Sequence, residues 1–242
     1  MKIPIQIPDG QLDDYRFLIN EIFIQQIYRV NLTNPDPLII DVGANIGIST
    51  LYFCKKHPNA KILAFEASKK CFPWLTNNTK KYQNISCFNV ALGEGEYVYF
   101  YEPKNRIGFG SSIFRSRVGN EYEKSKVKTD RLSNYLNGNV DLLKIDIEGS
   151  EFFVIEDLYD NHKLSLVQIV VMEFHNNVSD KNKLSHILKM FEDSGFKYQF
   201  SRPSHIKYEE EHKRNLYYDG YQTMILKAWN LGDPENRKFD LQ

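Results

Sequence analysis

The sequence predicts an α/β protein with a doubly wound, mostly parallel sheet of seven strands. Two observations carry this prediction: short apolar runs alternate with segments of helical periodicity, and two of these runs end directly in a glycine-containing turn. Such alternation is typical of parallel sheets, because parallel strands need a crossover connection that is usually a helix. The 242 residues are enough for one well-filled core.

The N-terminal part of the chain predicts a helix that precedes the sheet. Apolar residues recur at helical spacing over residues 13–28, and the two prolines in residues 34–37 end this segment. We therefore divide the chain into a helical lead-in or cap, residues 1–37, and a single globular domain, residues 38–242.

The first half of the predicted sheet has a regular strand–helix order. Residues 38–42 form an apolar strand that is followed by a helix at 48–56. Residues 61–66 are the second strand, and the helix after it ends near residue 80. Residues 85–92 are the third strand.

The second half continues this order. The fourth strand, residues 140–147, leads into a helix at 152–158. The fifth strand, residues 166–174, is nearly all apolar, as a strand covered on both faces should be. A helix over residues 180–194 follows it.

Two parts of the chain depart from the parallel order. Residues 196–200 and 222–228 predict a C-terminal antiparallel hairpin. Residues 93–136 predict a small inserted β segment with a loop, in which the tyrosine-rich run 97–101 is interpreted as sheet packing. Long loops in compact domains are often functional.

Composition restricts the partners and the compartment. The 31 basic and 31 acidic residues balance, which disfavours nucleic acid as a partner, because such proteins usually carry a basic excess. The chain has no apolar run of membrane-spanning length and no signal-peptide pattern, so we expect a cytoplasmic protein without a membrane span. Cys54, Cys71 and Cys87 lack metal-type spacing and are expected to stay reduced.

The turn after the first strand, Asp41-Val-Gly-Ala-Asn-Ile-Gly47, is the sharpest motif. Gly43 and Gly47 permit a tight turn and close approach of a ligand, and the amides of the following helix favour an anionic group such as a carboxylate. Asp41 is expected to anchor a positive amino group. The dinucleotide fingerprint Gly-x-Gly-x-x-Gly is not met, because Asn45 and Ile48 stand at two of its glycine positions.

The ends of the second and third strands predict contacts with an adenosine group. Glu66 stands at about the spacing of a ribose-binding carboxylate. Both S-adenosylmethionine and nicotinamide cofactors need such a residue, so Glu66 does not choose between them. Asn89 and Ala91 are expected beside the adenine.

The fourth strand carries charges that a buried strand tolerates only when they are paired. Lys144, Asp146 and Glu148 fall at period two on one face. We expect Lys144 to pair with Asp146 or with Glu148, facing the ligand cleft, and we expect Lys144 and Glu148 to contact the substrate. A purely structural ion pair is the alternative.

The fifth strand and the inserted loop add further candidates. Glu173 and His175 share one face, and histidine is the usual base near neutral pH, so with Asp146 they are the predicted catalytic residues. The same three side chains also suit a divalent cation, although no spacing signature supports a metal. The hydroxyls of Ser111 and Ser112, in a glycine-rich lid, are expected to contact substrate.

Four motifs, taken in order, resemble the FkbM-type methyltransferases. They are Ile40-Asp-Val-Gly-Ala-Asn-Ile-Gly47, Ala64-Phe-Glu66, Asn89-Val-Ala-Leu-Gly93 and Leu143-Lys-Ile-Asp-Ile-Glu-Gly-Ser-Glu151. The resemblance covers about residues 38–175 and implies a Rossmann-like class I methyltransferase domain. It further implies methyl transfer from S-adenosylmethionine to a hydroxyl oxygen, often of a sugar in a glycan or natural product.

The resemblance also implies roles for individual residues. It places Asp41, Gly43, Asn45 and Gly47 around the methionine part of the cofactor and Glu66 on the ribose, with Asp146 and Glu148 near the transferred methyl group and the acceptor. The chain departs from the family where Ala67-Ser-Lys-Lys70 replaces the prolines that usually follow Ala-Phe-Glu. This departure concerns the loop after Glu66.

Mechanistically, we expect an in-line displacement at the sulfonium methyl group, with His175 or Asp146 as the base that deprotonates the acceptor hydroxyl. Glu173 is expected to orient His175 or to hold a neighbouring sugar hydroxyl. Two alternatives stay open at this point: a nicotinamide-dependent oxidoreductase and a non-catalytic cofactor-binding module of a glycan-assembly complex.

Overall fold

The computed structural model describes residues 5–115, 118, 120–177, 183–201 and 221–230. Ten strands form a seven-stranded and a three-stranded sheet. In chain order they are β1 (Leu38–Val42), β2 (Lys61–Phe65), β3 (Ile85–Phe88), β4 (Ala91–Leu92), β5 (Tyr97–Pro103), β6 (Tyr122–Asp130), β7 (Val140–Ile145), β8 (Val167–Asn177), β9 (Phe196–Ser201) and β10 (Tyr221–Asn230).

Helices connect these strands. The α-helices are α1 (Leu12–Ile19), α2 (Ile48–Lys56), α3 (Phe72–Thr79), α4 (Glu151–Asp160) and α5 (Lys183–Asp193). A π-helix, Asn20–Gln25, continues α1, and short 3₁₀ turns lie at Leu132–Tyr135 and Leu164–Leu166. No helix in the described ranges is both long and apolar enough to cross a membrane.

The large sheet confirms the predicted fold class. Its strand order is β3-β2-β1-β7-β8-β10-β9, and all pairs are parallel except those that β10 makes with β8 and β9. The order reverses between β1 and β7, because the chain first runs outward through β2 and β3 and then returns to the other side of β1. A crevice opens at such a reversal, at the carboxyl ends of the two strands.

Apolar side chains cover both faces of the sheet. Neighbouring residues of one strand point to opposite faces, so Ile39 and Leu142 belong to one buried cluster and Ile40 and Leu143 to the other. The first cluster packs against the N-terminal segment and α2, and the second packs against α4 and α5. This two-sided burial explains why the central strands are nearly all apolar.

The predicted third strand divides in two. β3 ends at Phe88, and Ala91–Leu92 form β4, which pairs with β6 in the small sheet instead. Between them, the side-chain amide of Asn89 donates a hydrogen bond to the backbone carbonyl of Glu66 at 2.8 Å. An apolar run alone did not reveal this change of sheet.

The predicted inserted β segment is confirmed as the antiparallel pair β5 and β6. The interpretation of its tyrosines as sheet packing is wrong for two of them, because Tyr97 and Tyr99 are 47% and 54% exposed. The inward face of β5 carries Phe100 instead, which packs against Ala91. Strand alternation therefore divides this aromatic run between solvent and core.

Candidate active site

A cavity of about 590 Å³ opens at the carboxyl ends of β1 and β7, where the strand order reverses. Its size is typical of small-molecule sites. The predicted residues that line it are Gly43, Asn45, Glu66, Ala91, Ser111, Lys144, Asp146, Glu148 and Glu173. The remaining predicted residues, Asp41, Gly47, Asn89, Ser112 and His175, lie behind this lining.

Gly43 occupies the narrowest point of the turn after β1. Its φ is +77°, and a Cβ at this position would stand 1.8 Å from the backbone oxygen of Asp146. The amide of Asp146 in turn donates to the carbonyl of Val42 at 3.0 Å. The turn after β1 and the end of β7 therefore meet backbone to backbone, and only glycine fits between them.

Lys144 forms a buried ion pair with Asp41 beneath this turn, so the predicted pairing of Lys144 with Asp146 or Glu148 is wrong. The Nζ of Lys144 lies 3.1 Å from Oδ1 of Asp41 and donates to the carbonyl of Gly43 at 2.7 Å. The other carboxylate oxygen of Asp41 accepts hydrogen bonds from the hydroxyls of Ser49 and Thr50, both at 2.7 Å. The contact predicted between Asp41 and a cofactor amino group stays a prediction, because here the carboxylate supports the turn from behind.

Glu66 lies at the end of β2, is nine-tenths buried, and faces the cavity. Its two carboxylate oxygens accept the backbone amides of Asn45 and Ser68, each at 2.7 Å. Burial raises the pKa of Glu66 to about 7, although these two amides oppose the shift. Each carboxylate oxygen keeps a lone pair for a further donor such as a ribose hydroxyl.

Three of the predicted cofactor residues shape the cavity in different ways. Gly47 starts α2 with a φ of +95° and faces Leu75 of α3, 3.1 Å from where its Cβ would stand. Asn89 holds the backbone of Glu66, as described above. Ala91 lines the cavity directly. Gly47 and Asn89 therefore act on the shape of the site rather than on its surface.

The predicted lid is tied to the N-terminal helix. The Asn45 side chain donates to the carbonyl of Gly108 at 2.6 Å, and the Tyr15 hydroxyl contacts both Asn45 Oδ1 at 3.2 Å and the carbonyl of Ile107 at 2.9 Å. Arg106 forms a two-point ion pair with Asp14. Helix α1, the inserted loop and the glycine turn therefore close over the cavity together.

The two lid serines differ. Ser111 lines the cavity, and its buried hydroxyl has no hydrogen-bond partner among the residues that the structure describes. Ser112 is fully buried and donates to the backbone carbonyl of Glu148 at 2.8 Å. The sequence predicted that both serines contact the substrate. In the structure only Ser111 of the two faces the cavity, and its contact with a substrate stays a prediction.

The carboxylates of Asp146 and Glu173 face the cavity side by side. Asp146 follows β7, and Glu173 lies in the neighbouring β8. The hydroxyl of Tyr28 lies between them, 3.2 Å from Asp146 Oδ2 and 3.4 Å from Glu173 Oε2. Burial raises the pKa of the Asp146 carboxyl, against the opposing effects of Lys144 and His175. A raised pKa makes this carboxylate a stronger base.

His175 lies directly behind this pair and is surrounded by carboxylates. Its Nδ1 is 2.9 Å from Glu151 Oε1, and its Nε2 is 3.6 Å from Glu148 and 3.7 Å from Glu173. Burial alone lowers the pKa of an imidazole, but the three carboxylates outweigh it and raise the pKa of His175 to about 10. We therefore expect His175 to carry both ring protons at neutral pH, and an imidazolium has no free lone pair with which to accept a proton.

The possible metal site that the sequence predicted also falls here. Ligand atoms of Asp146, Glu173 and His175 lie within 4.8 Å of one another. While His175 carries both of its ring protons, however, neither nitrogen offers a lone pair to a cation. The imidazolium itself supplies the positive charge among these carboxylates, and metal binding stays a prediction.

Among the site residues that the sequence analysis missed are Tyr15, Tyr28 and Glu151. Tyr15 and Tyr28 stood in a segment predicted only as an amphipathic helix, and their partners are 30 or more residues away in the chain. Glu151 was part of a recognised motif, and it accepts hydrogen bonds from the amide of Gly149 and from His175. Its position in the first turn of a helix resembles a capping residue, so its pattern pointed to a local role.

Taken together, the fold and this cavity define a doubly wound α/β protein with a small-molecule site at the strand-order reversal. Comparison with known proteins narrows this class. Residues 41–198 match the methyltransferase FkbM domain, and the chain belongs to this family. S-adenosylmethionine is the cofactor, as the resemblance implied, and the family excludes the nicotinamide alternative.

Individual relatives agree with this assignment. Methyltransferase sdnD of Sordaria araneosa is 30% identical over 216 residues, which cover 75% of this chain and 82% of sdnD. The 2-O-methyltransferase NoeI of Sinorhizobium fredii is 26% identical over 141 residues, 51% of this chain and 58% of NoeI. A chain of the fibrillarin/Nop5p complex shares the fold, with a TM-score of 0.50 and 16% identity over 86% of this chain and 78% of that one.

Proposed function

We propose that the protein transfers a methyl group from S-adenosylmethionine to a hydroxyl oxygen, and that the acceptor hydroxyl belongs to a sugar of a glycan or natural product. The observation that carries this proposal is the half-buried Asp146 carboxylate at the cavity wall, whose pKa is raised because water is partly excluded from it. A partly desolvated carboxylate beside a cofactor cleft is suited to accept the proton that an alcohol loses as it is methylated.

The residues present fit the cofactor. The Glu66 oxygens are available to ribose hydroxyls, Ala91 offers an apolar wall for the adenine, and the turn at Gly43 admits close approach of the methionine part. When bound, S-adenosylmethionine supplies a methyl group on a positively charged sulfur that leaves readily. The protein then has to align the acceptor and remove its proton.

Asp146 performs the proton transfer in this proposal. An Asp146 oxygen would accept the proton of the acceptor hydroxyl as that oxygen is methylated, and bound S-adenosylmethionine would supply the methyl group and retain the electron pair of the broken bond on its sulfur. His175 stays protonated throughout and holds Glu148, Glu151 and Glu173 around the site. The sequence allowed His175 or Asp146 as the base. Asp146 is favoured because a protonated His175 cannot accept another proton.

The lining of the cavity contains polar groups that suit an acceptor with several hydroxyls. Ser150 is buried and lines the cavity, and its hydroxyl, like that of Ser111, has no hydrogen-bond partner within the described residues. Glu148 and Glu173 add carboxylates that accept hydrogen bonds from sugar hydroxyls. Phe17 and Phe109, from α1 and the lid, add apolar surface. The 2-O-methyltransferase activity in the name of NoeI supports a hydroxyl acceptor.

The first test is a calorimetric titration with S-adenosylhomocysteine, run beside NAD and NADP. We expect binding of S-adenosylhomocysteine alone. A radiolabelled methyl donor is then incubated with a panel of neutral glycans and hydroxylated natural products, and the methylated atom is identified by NMR.

The matched variants separate binding from turnover. Asp146→Asn should lose at least 100-fold in turnover and keep its affinity for S-adenosylhomocysteine, whereas Glu66→Gln should lose affinity first. Normal turnover by Asp146→Asn, or a methyl group found on nitrogen or carbon, would contradict the proposal. Cofactor binding without any turnover would favour the non-catalytic module instead.

A further inference from the structure

Tyr28 reaches the active site from the N-terminal segment, outside the residues 41–198 that match the family. The π-helix Asn20–Gln25 ends at Gln26, whose φ of 54° is left-handed, and the amide of Arg29 donates to the carbonyl of Gln26 at 2.8 Å. This turn brings the chain back toward the sheet. The side chain of Tyr28 is 2% exposed, and π-helical turns frequently lie at functional sites.

The Tyr28 hydroxyl is placed between two carboxylates of neighbouring strands. It lies 3.2 Å from Asp146 Oδ2 and 3.4 Å from Glu173 Oε2. Ionised carboxylates only accept hydrogen bonds, so the single phenolic proton is a donor for both. The shorter distance makes Asp146 its principal acceptor. Glu173 also faces His175, 3.7 Å away on its other side.

The chemistry of this phenol excludes the role of a base. Burial raises the pKa of Tyr28, and the negative charges of Asp146 and Glu173 raise it further, well above the ordinary value of a tyrosine. The hydroxyl therefore keeps its proton at neutral pH. Its available function is to donate that proton in a hydrogen bond, which fixes the orientation of the carboxylate that accepts it.

We propose that Tyr28 is a positioning residue that holds the Asp146 carboxylate in the orientation in which it receives the proton of the acceptor hydroxyl. This inference rests on the proposed function and adds a residue that the family match does not include. During the reaction the acceptor's proton moves to the Asp146 carboxylate, and Tyr28 keeps its own proton. The N-terminal segment is thereby a part of the catalytic apparatus, in addition to its place as a cover.

The test compares Tyr28→Phe with Tyr52→Phe. Both substitutions keep the aromatic ring and remove only a hydroxyl, and both tyrosines are 2% exposed. Tyr52 packs against Phe23 and Phe53 and does not line the active-site cavity. The pair therefore separates loss of the hydroxyl at the site from loss of a buried hydroxyl in general.

We expect Tyr28→Phe to lower kcat by about 10-fold or more, since hydrogen bonds to charged groups are among the strong ones. KM for S-adenosylmethionine, the Kd of S-adenosylhomocysteine and Tm should change little. Tyr52→Phe should leave all four quantities near their wild-type values. An unchanged kcat in Tyr28→Phe, or a raised KM with unchanged kcat, would overturn the positioning role.

A second measurement does not depend on knowing the acceptor. A buried hydroxyl proton that is donated to a carboxylate exchanges slowly and gives a low-field proton NMR resonance. We expect this resonance in the wild type, its absence in Tyr28→Phe, and a shift in Asp146→Asn. If the chemical shift of this resonance is the same in Asp146→Asn as in the wild type, the inference is refuted, even if methyl transfer is demonstrated. Absence of methyl transfer by the wild type would instead count against the proposed function.

Discussion

Lys144 and Asp41 form an ion pair that is buried beneath the glycine turn, with 3.1 Å between Nζ and Oδ1. The two residues lie directly opposite each other in the register of β1 and β7. Because Lys144 also donates to the carbonyl of Gly43, the pair joins the two strands to the turn that separates them from the cavity. Burial lowers the pKa of Lys144, but Asp41 and Asp146 outweigh it and keep the ammonium charged.

Breaking this pair should destabilise the protein strongly. Lys144→Met leaves the Asp41 carboxylate buried without its cation, which typically costs about 3–5 kcal/mol in the free energy of unfolding. Urea denaturation measures this loss. Lys189→Met, which removes one partner of the exposed Lys189–Asp193 pair, is the control and should change little. Equal losses in the free energy of unfolding for the two substitutions would show that the buried pair stabilises the protein no more than the exposed pair does.

Substitution by alanine should have different effects at two glycines that have similar backbone angles. Gly43 and Gly95 have φ values of +77° and +83°, but a Cβ would meet the Asp146 backbone oxygen at 1.8 Å at Gly43 and nothing within 4 Å at Gly95. Gly95→Ala should therefore cost about 1–2 kcal/mol from backbone strain alone. Gly43→Ala should cost more and should also weaken S-adenosylhomocysteine binding. Calorimetry and thermal unfolding of both variants check this, and matching behaviour would contradict it.

The affinity for S-adenosylhomocysteine should depend on pH through Glu66. Burial raises the pKa of its carboxyl to about 7, so protonation below this pH removes a charged acceptor from the ribose site. We expect the affinity of the wild type to fall as the pH decreases from 8 to 6. Glu66→Gln should bind at least 10-fold more weakly at pH 8, with a flatter pH dependence. Calorimetric titrations at several pH values measure this dependence, and a wild-type affinity that does not change with pH would contradict the role of Glu66.

The same group should affect stability in the absence of ligand. Because the folded-state pKa is raised above the ordinary value of 4.5, the contribution of Glu66 to stability is fully present below pH 4.5 and is lost as the pH rises through about 7. We expect Tm to fall by several degrees less between pH 6 and pH 8 in Glu66→Gln than in the wild type. Glu94→Gln, at an exposed position, should keep the wild-type trend.

His175 should remain protonated well above neutral pH. Although burial opposes it, the surrounding carboxylates raise its pKa to about 10, while burial lowers the pKa of His57. In NMR titrations the His175 ring should keep imidazolium shifts between pH 6 and 9, and His57 should titrate below 6.5. The stability from His175 is accordingly present below pH 6.5 and is lost as the pH rises through about 10. Titration of His175 near pH 6.5 would return it to the list of candidate bases.

Much of the fold followed from local patterns. The apolar runs at β1, β2, β7 and β8 are each flanked by helical periodicity, and strand–helix alternation has few topologies available to it. The glycine turn and Glu66 were recognisable because the chemistry of a strand end depends on residue types at fixed short spacing. These features identified Gly43, Asn45 and Glu66, which line the cavity, from the chain alone.

The redirection of the third strand did not follow from such patterns. Val90, Ala91 and Leu92 are as apolar as the strand before them, and their change of sheet depends on pairing with β6, almost 40 residues later. The side-chain bond from Asn89 to the Glu66 backbone is likewise a contact between separate strands. Periodicity reports which face is buried, and it does not report which partner buries it.

The sequence by itself determined the fold class, the cofactor turn and the set of acidic residues at the strand ends, because these depend on residue types at short spacing. Only the tertiary structure decided their charge states and partners. Asp41 pairs with Lys144, three carboxylates raise the pKa of His175, and the Tyr28 hydroxyl contacts Asp146, which is 118 residues away in the chain. Burial and electrostatic interaction depend on distance in space, so residues far apart in the chain set the chemistry of this site.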